Sequence, residues 1–337
     1  MRIRFGRNIA AVLQSTESFC AIDARSARRR RTMLKAVAIT STFWVFGAIL
    51  IAQPQPEVRF APIVKGMVLP DVECSEFHSR FTGHDYHVYV SLPASYRQGD
   101  QRYPVLYVPD IDDGFLGLRS ANSWMSLGKF IGLGDMLEEF ILVGVPLKSE
   151  GVLDWARKRA FDLTPTEVEA QNTILGKLVG GEVHTGGASM FLRTLKEELI
   201  PFIESKYRVT SDRGLAGFSF GGLFAAYVWL NDGNTFSRYL IGSPSLYWDK
   251  EMILKAEAAV AESGKTLRGR VFLSAGADEG KGMVGQLKNL TTALTSHAYP
   301  NLQLESHIFE GENHLSVVPA TLSRGLKFLY ARPQPKQ

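Results

Sequence analysis

Cysteine is nearly absent: the 337 residues hold two, Cys20 and Cys74. That excludes a disulfide framework and a cysteine-built zinc module, so packing alone must hold a chain this long together. Cys74 reads as a small buried or half-buried hydrophobe, not a nucleophile. No internal repeat recurs at solenoid spacing. Neither Gly180-Gly181 nor Gly186-Gly187 is followed by G-K-[ST], which excludes a phosphate-binding loop. His84-Asp85-Tyr86-His87 has no third ligand at zinc spacing, and Asp110, Asp112 and Asp113 lack the further oxygens of a calcium loop. No metal and no cofactor is implied. Basic charge is missing from most of the chain as well. Residues 1–35 carry eight Arg and one Lys against Glu17 and Asp23, a net +7, so a total of +4 leaves the remainder at −3. A mildly acidic body offers nucleic acid no electrostatic footprint.

Long apolar runs are also rare, and the exception lies at the N-terminus. Ala36 to Ala52 (AVAITSTFWVFGAILIA) is 17 residues without a formal charge, preceded by Arg28-Arg29-Arg30-Arg31 and Lys35. A basic flank followed by an apolar core is the pattern of a secretory signal, and the length reaches the lower limit for crossing a bilayer. The segment is therefore a cleaved signal or a retained membrane anchor. Residues 1–35 are a basic extension in which Met33 is an alternative start, and residues 53–57, opening Gln53-Pro54-Gln55-Pro56, are a linker. Under the positive-inside rule either reading places the body, residues 58–332, outside the cytoplasm, periplasmic or secreted, with membrane contact only through the N-terminal segment.

The body begins with strands and continues with alternating strands and helices. Glu73–Phe81 and His84–Leu92 flank Thr82-Gly83 as an antiparallel hairpin. Pro104–Val108 and Phe140–Val145 are short, continuously apolar runs, as in strands covered on both faces. Arg213–Gly217, Tyr239–Ser243, Arg270–Ala275 and Leu302–Phe309 continue the strand series. Helical stripes lie between them: Phe191, Leu192, Leu195, Leu199, Phe202 and Ile203, then Leu223 to Leu230, Met283 to Leu294 and Leu315 to Tyr330. This order predicts an α/β fold with a mostly parallel sheet, an antiparallel N-terminal hairpin and helices on both faces. Residues 148–188 interrupt the rhythm with weak periodicity and six glycines, an insert placed to lie over the sheet's C-terminal edge.

Chemistry enters at Gly217-Phe218-Ser219-Phe220-Gly221. A lone G-x-S-x-G is a weak signal, but this one follows a short apolar strand and opens an amphipathic helix, the strand–turn–helix of a nucleophile elbow. The sharp turn tolerates no bulk at its flanks and presents the Ser219 hydroxyl outward. That hydroxyl needs a base. Of seven histidines, His314 alone sits in a polar loop between the last strand and the last helix, where the serine–acid–histidine order of this fold ends. His307, inside the last strand, reads as a satisfied structural histidine. The acid should follow the strand Arg270–Ala275, where Asp278 and Glu279 are adjacent candidates. An oxyanion needs two backbone N–H donors. One is that of Phe220, and the other belongs to the loop Pro109–Asp113, at Ile111 or Asp112.

Further motifs make the chain resemble the esterase branch of the α/β-hydrolase superfamily, which includes enterochelin-type siderophore esterases, S-formylglutathione hydrolase, feruloyl esterases and mycolyltransferases. Tyr103 to Asp112 resembles its strand ending in an aspartate-containing loop. Asp162-Leu-Thr-Pro165, with Arg159 upstream, resembles its D-x-T-P segment, and Gly186-Gly187-Ala188 to Pro201 its G-G-A…F-L…E-L-I-P helix. Ser243-Pro244-Ser245-Leu246-Tyr247-Trp248 resembles S-P-S-x-W-W with one tryptophan replaced, and Gly276 to Glu279 resembles G-x-x-E. The resemblance implies an α/β-hydrolase fold, hydrolysis of a small-molecule ester through an acyl-enzyme, and Glu279 as the acid, with Asp278 the alternative. It implies substrate contacts at Arg159, Tyr247 and Trp248. Arg159 pairs with Asp162 to fold the insert, or else meets an anionic group of the substrate. An acyltransferase using the same acyl-enzyme, and a membrane-anchored non-catalytic binding module, are the alternative functions.

Overall fold

The computed structural model describes residues 69, 71–110, 112–127 and 137–331. The basic extension, the apolar segment 36–52 and the linker 53–57 lie outside the described residues. Strands β1 (Val72–His78) and β2 (Asp85–Ser91) form the hairpin, paired from Val72↔Ser91 to His78↔Asp85. Its turn uses Gly83 at φ +72°, and the Ser79 hydroxyl accepts the N–H groups of Phe81 and Thr82.

The remaining strands are β3 (Tyr103–Val108), β4 (Ile141–Gly144), β5 (Val209–Phe218), β6 (Arg238–Gly242), β7 (Arg268–Gly276) and β8 (Asn301–Phe309). They complete one eight-stranded sheet in the order β1-β2-β4-β3-β5-β6-β7-β8. β2 runs antiparallel to β4, and every pairing from β4 to β8 is parallel. The helices are α1 (Asp112–Ser126), α2 (Val152–Leu163), α3 (Glu169–Val179), α4 (Ala188–Thr194), α5 (Ile200–Lys206), α6 (Phe220–Asn231), α7 (Trp248–Glu262), α8 (Lys281–His297) and α9 (Val318–Tyr330).

Every residue of β3 and β4 is buried, as their unbroken apolar runs require. Successive side chains point to opposite faces, so the strands feed two cores. Leu106, Val108, Leu142, Ala216, Leu240 and Phe272 pack with Phe115 and Leu118 of α1 and Leu322, Leu326 and Leu329 of α9. Val105, Tyr107, Ile141, Leu215, Ile241 and Val271 pack on the other face with Phe191 of α4, Ile203 of α5, Leu223 and Phe224 of α6 and Leu290 of α8. A π-helical turn, Leu195–Leu199, joins α4 to α5. Pro201 follows it and cannot donate an N–H, so the widened turn absorbs the missing bond.

Two single-residue expectations are corrected. Cys74 is exposed on β1, not buried, because β1 is an edge strand. His307 is exposed on β8, the opposite edge, and its ring lies 4.3 Å from that of Phe309. A strand at the edge of the sheet alternates between core and solvent, and His307 falls on the solvent side.

The insert is more regular than its sequence predicts, because it contains α2 and α3. α2 ends where Thr164 must be extended before Pro165. Thr164 then staples the return of the chain: its hydroxyl accepts the Gly186 N–H at 2.8 Å, and its carbonyl accepts the Ala188 N–H at 3.1 Å.

Candidate active site

β5 ends at Phe218, and the chain reverses at Ser219 into α6. Ser219 has φ +58° and ψ −116°, a conformation L-residues occupy at a cost. Local packing enforces it. Its N–H donates to the Gly242 carbonyl at 3.0 Å, and its own carbonyl accepts from Leu223 at 2.9 Å. Glycine is obligatory beside it, since a Cβ on Gly217 would lie 2.0 Å from the Gly221 carbonyl oxygen. The first consequence of the turn is a hydroxyl held clear of the backbone. The second is that the Phe220 N–H, opening α6, has no intrahelical carbonyl to meet.

His314 comes to this hydroxyl from the loop between β8 and α9. Asn313 shapes that loop: its side-chain oxygen accepts the N–H groups of Leu315 at 2.9 Å and Ser316 at 3.1 Å. The loop packs close to the end of β7, where a Cβ on Gly276 would sit 2.2 Å from the Glu312 carbonyl oxygen. His314 Nε2 is 3.1 Å from Ser219 Oγ, and its Nδ1 is 2.8 Å from Glu279 Oε2. An ionised carboxylate can only accept, so Nδ1 carries the proton and Nε2 turns its lone pair to the serine. The arrangement can take a proton from Ser219 Oγ and stabilise the imidazolium that results.

Glu279 ends a short 3₁₀ turn after β7, Ala277–Glu279, and its side chain has no solvent exposure. Burial pushes its pKa up, but hydrogen bonds from His314, Ser243 and the Gly276 N–H outweigh that and hold the carboxyl below its ordinary value. The two adjacent carboxylates are placed differently. Asp278 is exposed, its backbone N–H is bound to the Glu312 carbonyl at 2.9 Å, and it is Glu279 that meets the imidazole.

Of the two positions considered for the second oxyanion donor, Ile111 lies outside the described residues, and Asp112 opens α1 directly after the β3 loop. Arg159 is not paired with Asp162, which corrects that reading. Its Nε and Nη2 donate to the two oxygens of Asp110 at 2.5 and 2.7 Å, and Nη2 also reaches the Phe218 carbonyl at 3.4 Å. The guanidinium lies between the rings of Trp155 and Phe220, at 5.3 and 5.4 Å. Nε and Nη2 are thus engaged by protein, which pins α2 against the C-terminal ends of β3 and β5. Asp162 instead accepts from the Tyr86 hydroxyl at 2.6 Å and pairs with His84 Nδ1 at 3.0 Å, while burial pushes its own pKa up. Trp248 is wholly buried, donates Nε1–H to Thr166 at 3.2 Å, and packs edge-on against Phe220. Tyr247 is 40 % exposed, on the segment whose Ser245 N–H donates to the Ser219 carbonyl at 3.3 Å.

Two participants lie in motifs whose sequence does not display the role they take. Asp110, in the aspartate-containing loop after β3, receives Arg159, and an aspartate just beyond a buried strand is well placed to do so. Ser243 bonds Glu279, and the polar residue ending β6 beside the elbow was its available signal.

The comparisons agree with this architecture. The sequence profile of a family described as "Putative esterase" matches residues 79–328. Ferri-bacillibactin esterase BesA of Bacillus subtilis is 30 % identical over 267 residues, covering 77 % of this chain and 90 % of that protein. A siderophore triacetylfusarinine C esterase of Aspergillus fumigatus is 28 % identical, covering 74 % of this chain and 89 % of its own length. Among solved structures, the BES protein of Bacillus cereus superposes with a TM-score of 0.67 at 27 % identity, over 80 % of this chain and 99 % of that one.

Proposed function

The chain belongs to the Putative esterase family and hydrolyses ester bonds, and from that premise we propose that Ser219 is the nucleophile, His314 its base and Glu279 the orienting acid. The observation that carries this reading is His314 suspended between Ser219 Oγ and Glu279 Oε2. Ser219 Oγ attacks the ester carbonyl carbon as its proton passes to His314 Nε2. The tetrahedral oxyanion takes the Phe220 N–H and a second N–H from the Pro109–Asp113 loop. Collapse expels the alcohol, which leaves with the proton from His314. Water, losing a proton to the same nitrogen, attacks the acyl carbon, and as the acid departs Ser219 Oγ takes that proton back from His314. No step requires a cofactor.

The substrate class we assign is a siderophore ester, because the relatives matched over most of their length bear names of that activity. The test is a panel of p-nitrophenyl esters of increasing chain length run beside a ferric trilactone siderophore. The trilactone should be turned over with a kcat/KM well above any aryl ester. Turnover of aryl esters alone would remove the siderophore assignment and leave hydrolysis standing. We place the body outside the cytoplasm on the strength of the arginine cluster and the apolar run 36–52. A phosphatase fused after Pro56 should be active there, and activity confined to the cytoplasm would overturn the placement.

A further inference from the structure

Glutamate in the acid position carries a difficulty that aspartate does not. Its side chain has one more torsion, so holding it in one geometry costs more conformational freedom. Glu279 stands in a three-residue turn where its side chain has no solvent exposure. One oxygen, Oε2, faces His314. The other, Oε1, must find protein donors or remain a buried unsatisfied charge. It finds two: the Gly276 N–H at 2.6 Å and the Ser243 hydroxyl at 2.5 Å. The Gly276 donor is the last residue of β7, the strand from which Glu279 itself hangs. The Ser243 donor comes from the end of a different strand.

Ser243 is itself held with unusual firmness. It is wholly buried, its N–H donates to the Ser274 carbonyl at 2.7 Å, and its φ is +39°. A residue with a Cβ is disfavoured in that left-handed region, and glycine would occupy it without penalty. The backbone therefore gains nothing from a serine here, whereas the hydroxyl meets the one oxygen of Glu279 that His314 does not use. Strain kept at a buried residue beside the site is what a positioning function would require.

We propose that Ser243 is the positioning residue of the site: its hydroxyl anchors Glu279 Oε1 to the end of β6, so that Oε2 is presented to His314 Nδ1. This rests on the assignment of Ser219, His314 and Glu279. In this role Ser243 acts through Glu279 and not on the ester itself. With the anchor in place, the carboxylate plane cannot rotate about its terminal torsion when the imidazolium forms. Without it, only the Gly276 N–H and the short turn 277–279 hold Oε1 in place.

The test compares Ser243→Ala, which keeps the strained backbone and removes the hydroxyl, with Ser243→Gly, which removes both. The hydroxyl bonds a charged group, and losing a bond of that kind should lower kcat about tenfold to a hundredfold in either variant, with KM nearly unchanged. Ser243→Gly should melt no lower than Ser243→Ala, because glycine suits φ +39°. The loss of rate is then separated from any loss of fold. The charged groups in this contact are the Glu279 carboxylate and the His314 imidazole. A carboxylate free to turn away from Nδ1 stabilises the imidazolium less, so the acid limb of the kcat/KM profile should move to lower pH in both variants. A merely structural defect would scale the whole profile without moving it. Ser219→Ala runs alongside. If that variant is dead while both Ser243 variants keep wild-type kcat and an unmoved acid limb, Ser243 has no positioning role. If Ser219→Ala still turns over, the underlying assignment fails instead.

Discussion

Glu279 carries its charge where water does not reach its side chain, and three donors keep it ionised. Replacement by the isosteric amide tests that arrangement, because glutamine keeps the shape and loses the charge that stabilises an imidazolium. Glu279→Gln should lower kcat by two or more orders of magnitude while Asp278→Asn changes it little, since Asp278 is exposed and the imidazole contact is made by Glu279. The opposite ranking would transfer the role to Asp278. The same carboxyl has a stability signature. Its folded pKa is depressed, so between that value and the ordinary glutamate value of about 4.3 the unfolded chain binds more protons than the folded one. Its contribution is fully present above the unfolded value and is lost as pH falls through the folded one. Acid titration of stability should therefore be shallower in Glu279→Gln than in the wild type. At this scale the serine and the histidine were readable, because each sits in a short local pattern with few competitors. The choice between two adjacent carboxylates required the turn geometry. The roles of Asp110 and Ser243 depend on partners 49 and 36 residues away, which no local pattern displays.

Among the elements, α2 shows how the insert is tied to the rest. Arg159 is engaged by Asp110 at the end of β3 and touches the last carbonyl of β5, while Asp162, one turn further along, is held by Tyr86 and His84 of the hairpin. Removing Arg159 leaves a nearly buried carboxylate unpaired below the nucleophile turn, where Gly221 already approaches Asp110 closely. Arg159→Ala should lower stability by about 3 kcal/mol, the scale for breaking a buried pair. It should depress kcat/KM on neutral and anionic esters alike. A KM increase confined to anionic esters, with stability unchanged, would return Arg159 to substrate binding. The strands and their parallel order follow from apolar runs that only a doubly covered sheet can bury. The two insert helices were not legible for a physical reason: Val152, Leu153, Ile174 and Leu178 are large apolar residues left 48 % or more exposed, so the period of burial is blurred. The pairing of Arg159 with Asp110 instead of its near neighbour Asp162 belongs to tertiary packing, which sequence proximity misjudges.

At the scale of the whole molecule, a mildly acidic body carries its chemistry along one edge of a single sheet. Ser219 follows β5, Ser243 follows β6, Glu279 follows β7 and His314 follows β8, so four consecutive parallel strands each deliver one member at their C-terminal ends. The parallel order makes this possible, since it brings four carboxyl ends to the same side. The family is shared with siderophore esterases of bacteria and fungi, and the nucleophile is the claim on which the rest depends. It is tested most directly by treating the purified body with a fluorophosphonate probe and mapping the adduct by peptide mass spectrometry. The wild type should lose activity in step with one phosphonyl group on Ser219, and Ser219→Ala should neither label nor turn over ester. A phosphonyl group on another residue, or equal labelling of Ser219→Ala, would contradict the account.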